Sequence, residues 1–386
     1  MLKRFGMTLP GQVYAGEGAM EAAAEIVRKE HVKKIALFTD KGVRNAGVLD
    51  ELNRILEREN IMCQVFDQIP SEPDYHQVQE VADSFCREPC ELIVGAGGGS
   101  VMDTAKLVSV LAGERHRVEE LLEDSSLAKK AVPTLMIPTT AGTGAEATCN
   151  SIVAVPEKKL KVGIVSPELM ADYVILDASV LNNLPFRIAA NTGMDALCHA
   201  LECYISNKAN PFSDTFALAA LEMIFSNIEK ACRGGMEEKK QMLIAAFYGG
   251  VAITASGTTA VHALSYPLGG KYHIPHGEAN AMLLVPVMRM NEEACRRKLA
   301  VVYDRALSDG ETQRSEKEKS EAVIRKLEEL AKTLEIPASL NRYGITRGDV
   351  EDLVKAGMDV KRLLDNNPKT VTEEDARSIY LGLIDR

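Results

Sequence analysis

The chain has 386 residues, 46% of them hydrophobic and 26% charged, with a formal net charge of −10. That length favours two domains with sizeable cores, and the acidic balance excludes a nucleic-acid partner, whose phosphates need clustered Lys and Arg. No apolar run reaches the length of a membrane span, and Met1-Leu-Lys-Arg-Phe5 lacks the apolar core of a secretory signal, so a cytoplasmic protein with no membrane partner is expected.

In chain order, Lys34–Thr39 reads as a buried strand and 45–59 as an amphipathic helix. Met62–Phe66 is strand-like, 76–87 helical, and 91–95 a strand running into glycines. A helix over 100–111 and a strand over 134–137 follow. Segments 150–155 and 161–165 form a hairpin, and 173–176 a further strand. This alternation predicts a mostly parallel sheet covered by helices. Beyond Pro185 the apolar period becomes helical over 188–205, 212–232, 237–254, 277–291 and 315–334, with no convincing strand. The boundary is therefore set at Leu184-Pro185: an α/β domain over 1–184 and an all-α domain over 185–386. The polar stretch Gln313–Lys319 reads as an exposed loop or helix start.

Gly95-Ala-Gly97-Gly98-Gly99-Ser100 closes one strand and opens a helix. Glycines there let backbone N–H groups approach a phosphate, and the helix N-terminus favours its charge. A tight strand-to-helix turn is the plainer reading, but three consecutive glycines exceed what it needs. The stretch lacks the G-K-[ST] ending of a P-loop and does not follow the first strand, as the usual dinucleotide fingerprint does. Pro138-Thr139-Thr140-Ala141-Gly142-Thr143-Gly144 also follows a strand, and its hydroxyls suit a ribose, phosphate or amide. Asp40, at the end of the first strand, can bind a ribose diol and repel a 2′-phosphate, which favours NAD over NADP; capping a turn before Gly42 is its plainer role.

Asp195 and His199 are four apart, hence one turn apart on one helix face. His262 and His276 come from later segments. The four offer one carboxylate oxygen and three imidazole nitrogens, a set suited to Fe²⁺ or Zn²⁺ and poor for Ca²⁺. Alone, D-x-x-x-H fits a cap or a surface pair. But three of the chain's seven His join this pattern, among small apolar residues such as Ala196, Ala200 and Ala263. The eight Cys are scattered without C-x-x-C and read as free thiols.

Together these stretches resemble the iron-containing (group III) alcohol dehydrogenases, of the dehydroquinate synthase-like fold. Gly97-Gly-Gly-Ser-Val-Met-Asp103-Thr-Ala-Lys106 is similar to that family's G-G-G-S-x-x-D-x-x-K. Pro138–Glu146 resembles its second cofactor loop, and Asp195, His199, His262 and His276 match its four metal ligands in order. The likeness runs from Tyr14-Ala-Gly16 to Asn367-Pro368. It implies a Rossmann-like NAD-binding domain, a helical metal domain holding Fe²⁺ or sometimes Zn²⁺, and a homodimer or higher homo-oligomer. It also implies that Asp40 binds the adenosine ribose and that Gly97, Gly98, Gly99 and Ser100 cradle the pyrophosphate. Asp103 would lie near the nicotinamide, Thr139, Thr140 and Thr143 would line the nucleotide, and Lys161 would sit near the ribose. The implied reaction is reversible hydride transfer between NAD(H) and a small primary alcohol or aldehyde. Glycerol dehydrogenase, maleylacetate reductase and, from another class, a dehydroquinate synthase-like lyase share the fold.

One departure stands out. Many relatives carry a second His four residues after the third ligand; here it is Tyr266, a hydrogen-bond donor but a poor proton acceptor at neutral pH. His273 is the replacement expected in a proton relay. Alternatively, Lys271 and His273 would meet an anionic substrate tail.

Overall fold

The computed structural model describes residues 4–113, 115–158, 160–308, 310 and 314–385; Gln313, the start of the expected polar stretch, lies outside them. Contacts divide the chain into two compact units. One comprises Thr8–Thr140 with Gly144–Leu184, the other Met1–Met7, Ala141–Thr143 and Pro185–Arg386.

The first unit carries strands β1 (Gln12–Ala15), β2 (Lys34–Phe38), β3 (Met62–Phe66), β4 (Leu92–Gly97) and β5 (Thr134–Pro138). The antiparallel hairpin β6 (Asn150–Val155) and β7 (Leu160–Val165) follows, then β8 (Tyr173–Leu176). Its helices are α1 (Ala22–Lys29), α2 (Lys41–Asn45), α3 (Asp50–Arg58), α4 (Tyr75–Arg87), α5 (Gly99–Leu111) and α6 (Val118–Glu123). The sheet order is β1-β8-β5-β4-β2-β3, all parallel. Every residue of β4 is buried, as expected of an inner parallel strand reading as a continuous apolar run. The helix expected over 45–59 starts later, as α3, and its first expected residue, Asn45, instead ends α2. Gly47 between them sits at φ 68°, outside helical space, and stops α2 after one turn.

The second unit is helical among the described residues. Its long helices are α7 (Phe186–Ile205), α8 (Pro211–Cys232), α9 (Met236–Ser256), α10 (Ala260–Tyr272), α11 (His276–Val302) and α12 (Glu316–Thr333); α13 (Val350–Met358), α14 (Lys361–Leu364) and α15 (Glu373–Ile384) follow. Helix α10 has no polar face to read. Its residues from Ala260 to Gly269 are all buried, so its amphipathic signal vanishes. His273, at φ 54°, ends α10, and Ile274-Pro275 turns the chain into α11, whose first residue is His276. No single helix is long and apolar enough to cross a membrane.

Candidate metal centre and nucleotide loops

Asp195 and His199 project from α7, His262 from the first turn of α10, and His276 from the first residue of α11. Their donor atoms all lie within 4.8 Å of one another. Asp195, His199 and His262 are buried, while the His276 side chain keeps 29% exposure, so the cluster opens on that side.

The surroundings decide which imidazole nitrogens carry protons. His262 Nδ1 donates to Glu202 Oε2 in a short contact, and His199 Nδ1 donates to the Gly142 carbonyl at 3.3 Å. In the neutral form of each ring the proton then sits on Nδ1 and Nε2 presents a lone pair. The two Nε2 atoms face each other at 2.9 Å, close enough to share a proton or to be drawn to one cation. The Asn280 amide nitrogen lies 2.7 Å from Asp195 Oδ1, 3.1 Å from His262 Nε2 and 3.2 Å from His276 Nε2. Acceptors of three ligand side chains thus converge on one point. The donor set and its protonation fit a divalent N/O-ligated metal.

Charge is balanced locally. Burial disfavours ionisation of Asp195, yet His199, His276 and His262 together hold its carboxyl below the ordinary range. Burial draws His199 toward its neutral form; burial works against charge on His262 too, but Glu202 and Asp195 raise its pKa. Burial works against Glu202 too, but His262 and the Thr259 donors keep it ionised. Glu202 Oε1 accepts from Thr259 N–H at 2.9 Å, Thr259 Oγ1 at 2.7 Å and Val261 N–H at 2.9 Å. One carboxylate therefore caps α10 and sets the His262 tautomer.

Sequence reasoning missed Glu202 and Asn280. The signal was present: Asp195, His199 and Glu202 follow i, i+4, i+7 on one helix face, and Asn280 is four beyond His276. The departure at Tyr266 lies close by, buried, with its ring centroid 6.2 Å from that of His276. His273 is exposed at the end of α10. Lys271 is bound to Asp352 at 3.2 Å and faces Asp349 at 3.7 Å, so its charge is already neutralised.

In the first unit, Gly98, Gly99 and Ser100 line a cavity of about 510 Å³ together with Asp40, Gly42, Asp67 and the Gln68–Ser71 segment. Helix α5 starts there without a side-chain cap, leaving its first N–H groups for an anion. Gly97 answers a different need: a Cβ there would come within 2.6 Å of the Val101 side chain. Asp40 lines the cavity and also caps α2, accepting from Val43 N–H at 2.9 Å.

Asp103 and Lys106 are engaged with each other at 2.9 Å. Asp103 also accepts from Ile152 N–H at 2.9 Å, and Lys106 donates to the Ala145 carbonyl at 2.9 Å and to the Asn150 carbonyl. The pair clamps the loop after β5 and the hairpin onto α5. Thr139 is buried, its N–H bonded to the Gly97 carbonyl at 3.0 Å, and Thr140 stands beside Gly98. Thr143 falls instead with Ala141 and Gly142 in the helical unit. Lys161 is buried and paired with Glu72 at 2.6 Å.

Two family models match the chain: iron-containing alcohol dehydrogenase over residues 10–178, and the C-terminal part of the Fe-containing alcohol dehydrogenase family over 189–383. The chain is 34% identical to long-chain-alcohol dehydrogenase 1 of Geobacillus thermodenitrificans, over 97% of this chain and 95% of that one. It is 29% identical to the NAD-dependent methanol dehydrogenase of Bacillus methanolicus, over 96% and 97%. The crystal structure of a 1,3-propanediol oxidoreductase superposes with a TM-score of 0.94 at 29% identity, covering 99% of this chain and all of that one.

Proposed function

Because the chain belongs to the iron-containing alcohol dehydrogenase family, we propose that it is a metal-dependent oxidoreductase moving a hydride reversibly between NAD(H) and a small primary alcohol or its aldehyde. The observation that carries the reading is the convergence of the Asp195, His199, His262 and His276 donor atoms within 4.8 Å of one another, with the His199 and His262 Nε2 atoms 2.9 Å apart beside the buried carboxylate. Bound there, Fe²⁺ or Zn²⁺ would supply Lewis acidity toward a substrate oxygen, and NAD(H) would accept or donate the hydride.

The chain's own residues do the rest. Glu202 holds His262 in the tautomer whose Nε2 is free, and the Gly142 carbonyl does the same for His199. Asn280 fixes the Asp195 carboxylate. The uncapped start of α5 offers N–H groups to the cofactor pyrophosphate, and Asp40 accepts from a ribose diol while repelling a 2′-phosphate. Tyr266, whose ring lies 6.2 Å from that of His276, would lend the site a hydroxyl donor in place of an imidazole. His273 is exposed and contributes at most to a path toward solvent.

The substrate we favour is a small neutral one, because Lys271 is already paired with Asp349 and Asp352. Two subunits or more are proposed on the family likeness.

The test is an anaerobic NADH-oxidation assay of Fe²⁺-loaded protein with acetaldehyde, butyraldehyde, lactaldehyde, 3-hydroxypropionaldehyde, succinic semialdehyde and sulfoacetaldehyde, each with a chelator control. Chelator-sensitive loss of NADH with the neutral aldehydes is the expected result. Silence with NADH and NADPH alike, or substrate consumption without net change in NADH, sinks the dehydrogenase reading. Preference for the two anionic aldehydes sinks the substrate reading alone.

A further inference from the structure

Glu72 lies in the short stretch between Ile69 and Asp74, whose Ile69, Pro70 and Ser71 line the nucleotide cavity. Its backbone is at φ 57°, a conformation unfavourable for a residue with a Cβ and doubly so before a proline. Such strain persists only where the surroundings over-determine it. Here they do so at both ends of the residue. The Glu72 N–H donates to Ser100 Oγ at 3.0 Å, and its carboxylate pairs with Lys161 at 2.6 Å. Beyond it, Ala154 N–H donates to the Pro73 carbonyl at 3.0 Å, and Asp74 bridges Ala154, so the stretch is stitched to the hairpin.

The family likeness gives both partners of Glu72 to the cofactor. Ser100 is in the first turn of α5 and lines the cavity. Lys161 is on β7, and its side chain is only 7% exposed, too enclosed to stand without a counter-charge. One of its three N–H bonds is spent on Glu72. A Lys tied in this way has its position and direction set before the ligand arrives, so less ordering is lost on binding.

We propose that Glu72 is a positioning residue for the cofactor: its N–H orients Ser100 while its carboxylate holds Lys161, joining the phosphate loop and the hairpin into one preformed nucleotide surface. This rests on the NAD(H) reading above.

The test measures the Kd for NADH of the full-length protein, by enhancement of NADH fluorescence, for wild type, E72Q, K161M, E72Q/K161M, E72D and E72G. E72Q keeps the shape and removes the charge; it is expected to raise Kd about tenfold, the scale of one charge-assisted hydrogen bond. K161M is expected to raise it at least as much, and the double variant no further than K161M alone, because both changes break one interaction. E72D, carrying the charge on a shorter stem, recovers part of the affinity. In turnover, KM for NADH rises far more than kcat at saturating NADH falls. A Kd for E72Q within twofold of wild type, additive effects in the double variant, or wild-type affinity in E72G overturns the proposal. If wild type itself fails to bind NADH, the NAD(H) reading falls with it; if wild type binds and E72Q matches it, only the role of Glu72 falls.

Discussion

The Glu202→Gln substitution isolates what the buried carboxylate contributes to the metal centre. In the native protein, Oε1 takes the Thr259 and Val261 donors and Oε2 takes His262 Nδ1–H. A Gln amide of the same shape keeps one acceptor. With its oxygen left on the three α10 donors, its NH₂ faces His262 Nδ1, which must then give up its proton. The tautomer reverses, and the hydrogen moves to Nε2, toward His199 Nε2 at 2.9 Å. A ligand nitrogen is thereby blocked, although the cap of α10 survives. Loss of such an outer partner lowers metal affinity roughly 10- to 100-fold, or about 1.4–2.8 kcal/mol. Glu202→Ala should differ in kind. It strands several buried donors, each costing about 1–3 kcal/mol, and leaves a cavity besides, so the apo-protein itself loses stability. The assay is titration with Co²⁺, followed by its visible absorption and by competition with a chelator, alongside the apo-protein's melting temperature. The expected pattern is weakened Co²⁺ binding with a nearly native apo Tm for E202Q, and a lowered apo Tm for E202A. Unchanged Co²⁺ affinity and spectrum in E202Q would refute the tautomer argument.

Other consequences follow from single side chains. Glu146 is buried, neither of its oxygens has a hydrogen-bond partner among the described residues, and burial pushes its carboxyl from 4.5 up to about 7. The folded state therefore holds a proton that the unfolded chain has released, and stability falls as pH rises from about 4.5 to about 7. At about 1.36 kcal/mol per pH unit the loss is roughly 3 kcal/mol, and E146Q should abolish it; parallel denaturation curves for the two proteins across pH 4–8 would contradict this. At Gly277 a Cβ would meet the Asn191 carbonyl oxygen at 2.4 Å, a backbone atom that cannot swing away. G277A must therefore displace the first turn of α11 with His276, and Co²⁺ affinity should drop at least about tenfold; a native affinity would show that the turn yields freely. Asn caps a helix as well as Asp does, so D40N should leave the Tm within about 1 °C while relaxing selectivity for NADH over NADPH roughly tenfold. Selectivity ratios from kcat/KM decide it, and an unchanged ratio would remove Asp40 from the ribose site.

The elements flanking the candidate sites were legible because their signals are short-range. Apolar runs ending in glycine mark β4 and the start of α5, and an i, i+4 pair of rare ligand types marks α7. The failures were local too. The single helix expected over 45–59 ignored Gly47, and α10 escaped because a helix buried on all sides has no face to detect. The expectation that Lys271 would meet an anionic tail came from the sequence alone; in the structure Asp349 and Asp352, nearly eighty residues on, pair with it.

By itself, then, the sequence determined the α/β-then-α order, the glycine-rich loops, and which four side chains have metal-ligand chemistry. Those follow from periodicity and from scarce functional groups, both carried by neighbouring residues. Only the tertiary structure decided the protonation of His262 by Glu202, the grip of Asn280 on Asp195, the commitment of Asp103 to Lys106, and the tie from Glu72 to Ser100 and Lys161. Most of these join residues far apart in the chain, and the closer pairs draw on surroundings that distant segments supply. A Glu or Asn destined to orient a ligand looks, along the chain, like any other polar residue; burial and the partner brought to it by folding are what give it that role.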